Sequence, residues 1–224
     1  PKLAEGLPGV RDWWARYPYS CLEQQASKAI GMEDLAAWRA LMGRVPTYLD
    51  EDGLASYFPP RAGETRRGSD TLTAFLISAA DEAAKLDSTM GLPDAVRAPM
   101  EQALVAFVEG KITRKFWSPR EDLAMRKLAA IEALSRSGKA QARMLSSITI
   151  APNQWPTHAV IDWLRILRKV PGIANQAARL QEAEQILHSR LNYQGTRVAF
   201  STEQQDDWWW LMQNSDVNAA RLLL

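Results

Sequence analysis

What most constrains this chain is a pattern repeated along nearly its whole length: a short amphipathic helix, a break rich in Pro or Gly, then another helix. Residues 33–43 show it, with Leu35, Trp38, Leu41 and Met42 at helical spacing, acids at the start and Gly43 near the end. The same reading predicts a helix over 20–31, after the turn-like Tyr17-Pro18-Tyr19, and one from the caps Ser69 and Asp70 to about Leu86. A helix over 93–109 follows, with Pro93 in its first turn and Pro99 as an internal kink or break. Further helices are expected over 119–136, closed by Gly138, over a short stretch around 139–147, from Pro156-Thr157 to Lys169, and over 174–191. The last two cover Gln204–Met212 and Val217 onward. Between them, residues 44–68 carry Pro46, Gly53, Pro59, Pro60, Gly63 and Gly68, which is loop chemistry. The period changes only at Tyr193–Phe200, which alternates around Gly195 and predicts a small β-hairpin. The sum, about nine helices, makes the chain all-α. Such helix pairs stack as a bundle, a solenoid or a closed ring of hairpins, and periodicity leaves the three open.

The 224 residues, 46% hydrophobic and 24% charged, suit one large globular domain or two small ones. A net charge of +1 without a dense basic stripe argues against nucleic acid as a partner. No apolar run approaches the roughly 20 residues needed to span a bilayer, and there is no signal peptide or lipidation motif. The chain opens on Pro1 and stops in the apolar Arg221-Leu222-Leu223-Leu224, so we expect a piece of a longer polypeptide, truncated at its C-terminal end. Most of the nine tryptophans are expected to fill the core. Trp208, Trp209 and Trp210 are consecutive and cannot all face one core, so they also mark a surface for another domain.

Cys21 is the single cysteine, which excludes an intrachain disulfide and a thiolate metal cluster. Its surroundings read Tyr17-Pro18-Tyr19-Ser20-Cys21-Leu22-Glu23-Gln24. With a helix starting near Ser20, Cys21 and Gln24 share a face, and the sulfur reaches the carboxamide. The helix N-terminus favours a thiolate there. A thiolate held against a carboxamide can displace ammonia and leave an internal thioester, a stored acyl group at Gln24 with Cys21 as leaving group. A half-buried Cys beside a solvent-facing Glu and Gln fits the tetrapeptide equally well. No Gly-rich phosphate loop, HExxH or serine elbow occurs. The carboxylate pairs Glu33-Asp34, Glu51-Asp52 and Asp206-Asp207 are adjacent in sequence and do not face each other as acid/base dyads.

The octapeptide closely resembles the thioester site of bacterial α2-macroglobulins, which commonly read Tyr-Pro-Tyr-Gly-Cys-Leu-Glu-Gln. Ser20 stands where Gly is usual, which bears on the backbone just before the cysteine. Tyr57-Phe58-Pro59, then Gly68 through Phe75, is similar to the family's passage into its next helix, and Trp208 through Met212 with Asn218 through Leu223 is similar in style. The resemblance implies one complement-like thioester domain over 1–224, an incomplete α/α toroid of helical hairpins. It implies a covalent protease trap rather than an enzyme. After a bait cleavage elsewhere, a protease lysine attacks the Gln24 acyl carbon and Cys21 leaves. Tyr17, Pro18 and Tyr19 would wall off and shape the site, with Leu22 and Glu23 completing the motif. Complement relatives use a downstream histidine in acyl transfer; His158, at a loop edge, is the candidate here, and His188 the other histidine. No cofactor or metal is implied. The implied partners are target proteases, other domains of the parent chain and a periplasmic penicillin-binding protein. The implied location is the periplasm, anchored to the inner membrane by a distant lipid. Two rival readings stand beside this: a helical interaction scaffold without a thioester, and an enzyme with Cys21 as nucleophile and a histidine as base.

Overall fold

A computed structural model describes residues 8–59, 67–149, 151–200 and 207–223. The described residues are predominantly helical with one two-stranded sheet. They divide into two compact units, Pro1–Leu104 and Val105–Leu224.

The first unit contains α1 (Pro8–Arg16), α2 (Leu22–Gly31), α3 (Leu35–Arg44), a 3-10 turn at Val45–Tyr48, α4 (Asp70–Leu86), a 3-10 turn at Ser88–Met90, and most of α5 (Asp94–Val108). Helix α2 packs on both α3 and α4. Its inner face (Leu22, Ala26 and Ala29) is small enough for Trp38, Leu41, Leu72, Leu76 and Ile77 to close around it, and all of these are buried. Caps set the starts: Asp34 accepts from Ala37 N at 2.9 Å, and Ser69 Oγ from Leu72 N at 3.2 Å. Pro99 is carried inside a single helix, α5, rather than dividing it.

The loop between α3 and α4 is built around Asp50. Its Oδ1 accepts from Asp52 N (3.0 Å) and Leu54 N (2.9 Å), and its Oδ2 from Gly68 N (2.7 Å). Ala55 N donates to Thr73 Oγ1 at 2.9 Å and Ser69 N to Ala55 O at 2.8 Å, which fastens the loop to the start of α4. Gly68 is required by this close approach. A Cβ there would lie 2.1 Å from Leu54 O and 2.6 Å from Leu54 Cβ. Gly68→Ala should therefore cost about 3 kcal/mol, the upper end of overpacking, read as a lowered midpoint in thermal or urea unfolding.

The second unit contains α6 (Leu123–Ser135), 3-10 turns at Ala142–Ser147 and Pro152–Gln154, α7 (Thr157–Lys169), α8 (Gln176–Ser189), β1 (Leu191–Gln194), β2 (Arg197–Phe200), a 3-10 turn at Trp209–Leu211, and α9 (Ser215–Leu223). Helix α7 is its centre, packed by α6, α8 and α9 and buried on nearly all sides. Its charged residues Asp162 and Arg165 are paired. Asp162 meets Arg221 of α9, and the Arg165 guanidinium lies 3.9 Å from Glu132 of α6, which Arg136 also holds at 2.9 Å. The hairpin pairs Leu191 with Phe200 and Tyr193 with Val198, antiparallel, around Gly195 at φ 61°.

Several local expectations change. Helix α1 carries Trp13 and Trp14 and was not anticipated. The stretch around 139–147 is a 3-10 turn over Ala142–Ser147, not an α-helix. Of Gln204–Met212, residues 204–206 lie outside the described residues, and the remainder is not α-helical. Trp208 bridges to Gln213 and a single 3-10 turn ends at Met212, which has a left-handed φ of 58°. The three tryptophans separate as their crowding demands: Trp208 is buried, Trp210 half-buried and Trp209 exposed.

Candidate functional site

The site forms where α2 begins. The helix starts at Leu22, not near Ser20, so Cys21 is its N-cap residue, extended at φ −66°, ψ 165°. Cys21 and Gln24 do not merely share a helical face; they form a reciprocal cap. The Cys21 side chain turns toward the backbone N–H of Gln24, while Cys21 N donates to Gln24 Oε1 at 3.4 Å. This is the geometry that Ser or Thr and Gln adopt at helix starts, with a thiol in place of the hydroxyl. It folds the Gln24 carboxamide back over the residue that carries the sulfur.

Four hydrogen bonds hold this start. Leu22 N donates to Tyr57 O at 2.8 Å, tying the first turn to the loop. Gln25 Nε2 donates to Ser20 O at 2.6 Å and to the Tyr48 hydroxyl at 3.3 Å, while Arg44 donates to Gln25 Oε1 at 2.7 Å. Leu22 is fully buried beneath the site. Ser20 is not among the non-glycine residues with positive φ, so a serine fits there without strain.

Cys21 is 7% exposed, and burial pushes its thiol above the ordinary value. The backbone N–H groups of Gln24 and Glu23 favour the thiolate, as expected of a helix start, but burial and the Glu23 charge outweigh them. Glu23 itself accepts from Ser27 Oγ at 2.8 Å. Tyr57 is the neighbour that sequence reading gave no role. Tyr57 is 36% exposed; its phenol is pushed up to about 12, by partial burial first and then by the charges of Glu23, Cys21 and Asp70. Its position depends on the Asp50 loop and on long-range pairing, and no local pattern marks it.

Toward the N-terminus lies an aromatic stack. Tyr17 contacts Trp13 (4.8 Å between centroids), Trp14 (5.6 Å) and Tyr19 (5.3 Å). Tyr17 is half-buried, Pro18 is exposed, and Tyr19 is 64% exposed.

The histidines belong to the second unit, whereas Cys21, Glu23 and Tyr57 belong to the first. His188 is exposed on α8. His158 is the second residue of α7 and, contrary to a loop-edge reading, 2% exposed against the Trp208 ring at 5.5 Å. Neither ring nitrogen has a hydrogen-bond partner among the described residues. Burial, then the Arg221 charge, lowers its pKa from 6.5 to about 3. A depressed folded-state value means that the stabilisation is complete above 6.5 and lost as pH falls toward 3. Over that window the unfolding free energy should drop by up to about 1.4 kcal/mol per pH unit, and His158→Phe should flatten the slope in urea unfolding across pH.

No protein-family model and no curated protein matches the sequence. Solved structures do match. The crystal structure of native α2-macroglobulin from Escherichia coli, from domain MG7 to the C-terminus, superposes with a TM-score of 0.62 and 15% identity over 82% of this chain. The cryo-EM reconstruction of the native conformation of the E. coli protein gives 0.59 and 17% over 84%. The fold is that of a region of a bacterial α2-macroglobulin. This chain spans 31% and 13% of those two chains. At such identities the likeness establishes the fold and leaves the chemistry to be argued from the residues.

Proposed function

We propose that this chain is the thioester domain of an α2-macroglobulin-like protease trap, and that Cys21 and Gln24 form the thioester. The reading rests on one observation above all: in a fold shared with that protein, a buried thiol caps a helix whose third residue returns its carboxamide to the same cap. Attack of the Cys21 sulfur on Gln24 Cδ forms the C–S bond and releases ammonia. Later an amine, such as a protease lysine, attacks the same carbon. The C–N bond forms, the C–S bond breaks, and the amine's proton ends on the Cys21 sulfur. Each molecule reacts once, so the chain is an inhibitor and not an enzyme. Burial of Cys21 keeps water from the bond, and the raised thiol value gives a slow leaving group, suited to storage. His158, buried in α7, would take no part, leaving direct aminolysis. Target proteases, further domains of a longer parent chain and a penicillin-binding protein are the proposed partners, and the periplasm, by lipid anchoring, the proposed location. Among the described residues no helix is long and apolar enough to cross a membrane.

The test is incubation of the full-length parent with an active protease, followed by denaturing electrophoresis. The proposal expects a conjugate that survives denaturation and reduction and is lost when protease lysines are blocked. Inhibition without any such conjugate would contradict it.

A further inference from the structure

Within the second unit a cavity of about 310 Å³ is lined by residues of α6, α7 and α8 and of the 3-10 segment before α7. Its floor is apolar. Leu128 of α6 is fully buried there, and Trp155 and Trp163 are each 5% exposed. The two indoles meet edge to face, 5.9 Å between centroids, which gives the floor an aromatic corner. The volume is at the small end for ligand pockets, so it suits a molecule of residue size rather than a length of chain.

The rim carries one charge of each sign. Arg179 and Glu182 both line the cavity, both are exposed, and they stand three residues apart on α8, on one face of the helix. Such neighbours commonly pair with each other. Among the described residues neither side chain takes part in an ion pair or a side-chain hydrogen bond, whereas Glu184 on the same helix is held by Arg168 at 3.0 Å. The Arg179 guanidinium lies instead over the Trp163 ring, 6.0 Å from its centroid. A guanidinium over an aromatic face keeps its N–H donors for a carboxylate.

We propose that this cavity binds a free α-amino acid with a large apolar side chain. The side chain lies against Leu128, Trp155 and Trp163. The α-carboxylate meets the Arg179 guanidinium, and the α-ammonium meets the Glu182 carboxylate. A free amino acid carries both charges on one carbon. At either end of a peptide, one of the two is replaced by an amide, so the paired charges select the free molecule. The binding is independent of the thioester reading.

The experiment is calorimetric titration of L-phenylalanine into the full-length parent. Roughly millimolar affinity is expected of so small a ligand. N-acetylphenylalanine, which lacks the ammonium, and phenylalaninamide, which lacks the carboxylate, should each bind about fivefold more weakly, the upper end for a solvent-exposed ion pair. Alanine, without the apolar side chain, should not bind measurably. Arg179→Ala should weaken phenylalanine to the level of phenylalaninamide and lose the distinction between the two. Glu182→Gln should do the same with respect to N-acetylphenylalanine. Ala151→Trp, on the exposed wall, should fill the cavity and abolish binding. Absence of phenylalanine binding at concentrations about tenfold above the expected dissociation constant would overturn the proposal. So would binding that persists in a folded Ala151→Trp protein, which would place the ligand elsewhere. Equal affinity of the wild-type protein for phenylalanine and both of its blocked forms would also overturn it, since the cavity would then take apolar groups without regard to charge. These three titrations need no variant to fold.

Discussion

Replacing Cys21 with alanine should abolish uptake of methylamine by the parent protein and leave a mass equal to that calculated from the variant's sequence. The physical ground is that Gln24 cannot be activated alone, because a carboxamide does not exchange with amines at neutral pH without a nucleophile held against it. In this chain that nucleophile has one source, since Cys21 is the only cysteine. The loss should be complete. The structural cost should be small: alanine forgoes one cap interaction, about 1 kcal/mol, and leaves Leu22, Tyr57 and the Gln25–Arg44 contacts in place. Gln24→Glu should behave the same way, because a carboxylate is not attacked by the thiol. Intact-mass measurement with a parallel melting curve checks both. Amine uptake surviving in Cys21→Ala, with the fold intact, would mean that another group carries the chemistry.

The second large effect lies in the other unit. Arg221→Ala should destabilise it by about 3–5 kcal/mol at neutral pH, because Asp162, 2% exposed, loses the guanidinium that pairs with it and stays behind as an uncompensated buried charge. Arg221 also accepts Arg165 Nη2 on its carbonyl at 2.5 Å and donates to Gln213 at 3.1 Å, so its side chain links α9 to α7 and to the turn before α9. The pH dependence has a definite sign. Burial raises Asp162 above its ordinary 3.8 even with Arg221 present, and removing that positive charge raises it further. A raised folded-state value gives stability that is full below 3.8 and lost as pH rises, so the deficit of Arg221→Ala should be smallest in acid and widest at neutral pH. Replacing the pair together, Asp162→Leu with Arg221→Met, should cost less than Arg221→Ala alone, since neither charge is then stranded. Urea unfolding across pH, followed by tryptophan fluorescence, measures all three.

Much of the fold was legible because its determinants are local. Ser69 caps α4, and Trp38, Leu41 and Met42 are buried from α3 with Leu35 half-buried, because spacing and capping chemistry decide both. Gly138 and Gly172 take positive φ just past the ends of α6 and α7, as helix-ending glycines do. The Tyr193–Phe200 alternation became a hairpin that starts two residues earlier, at Leu191. Where tertiary contacts decide, sequence patterns failed. Three consecutive tryptophans read as part of a helix, but burying Trp208 while exposing Trp209 at 61% is accomplished by a 3-10 turn. At the site, the residue pair was legible and its geometry was not. Spacing alone placed Cys21 and Gln24 on one helical face, whereas the helix begins one residue later and makes Cys21 the cap. A Cys-x-x-Gln start could have been read as a thiol version of the Ser/Thr-x-x-Gln cap. Tyr57 and the Gln25–Tyr48–Arg44 contacts depend on the Asp50 loop, which joins residues 18 apart through Gly68 and Asp50. His158 reads as a loop-edge residue at a helix start, which it is, but three neighbouring helices bury α7 and the histidine with it.

The most direct test of the central claim is the intact mass of the native full-length parent before and after methylamine. A starting mass short by one ammonia, then gain of one methylamine at Gln24 with one new titratable thiol at Cys21, is the predicted result. A starting mass with no deficit, a thiol already free and no uptake would contradict the account, leaving Cys21 and Gln24 as a helix cap and nothing more.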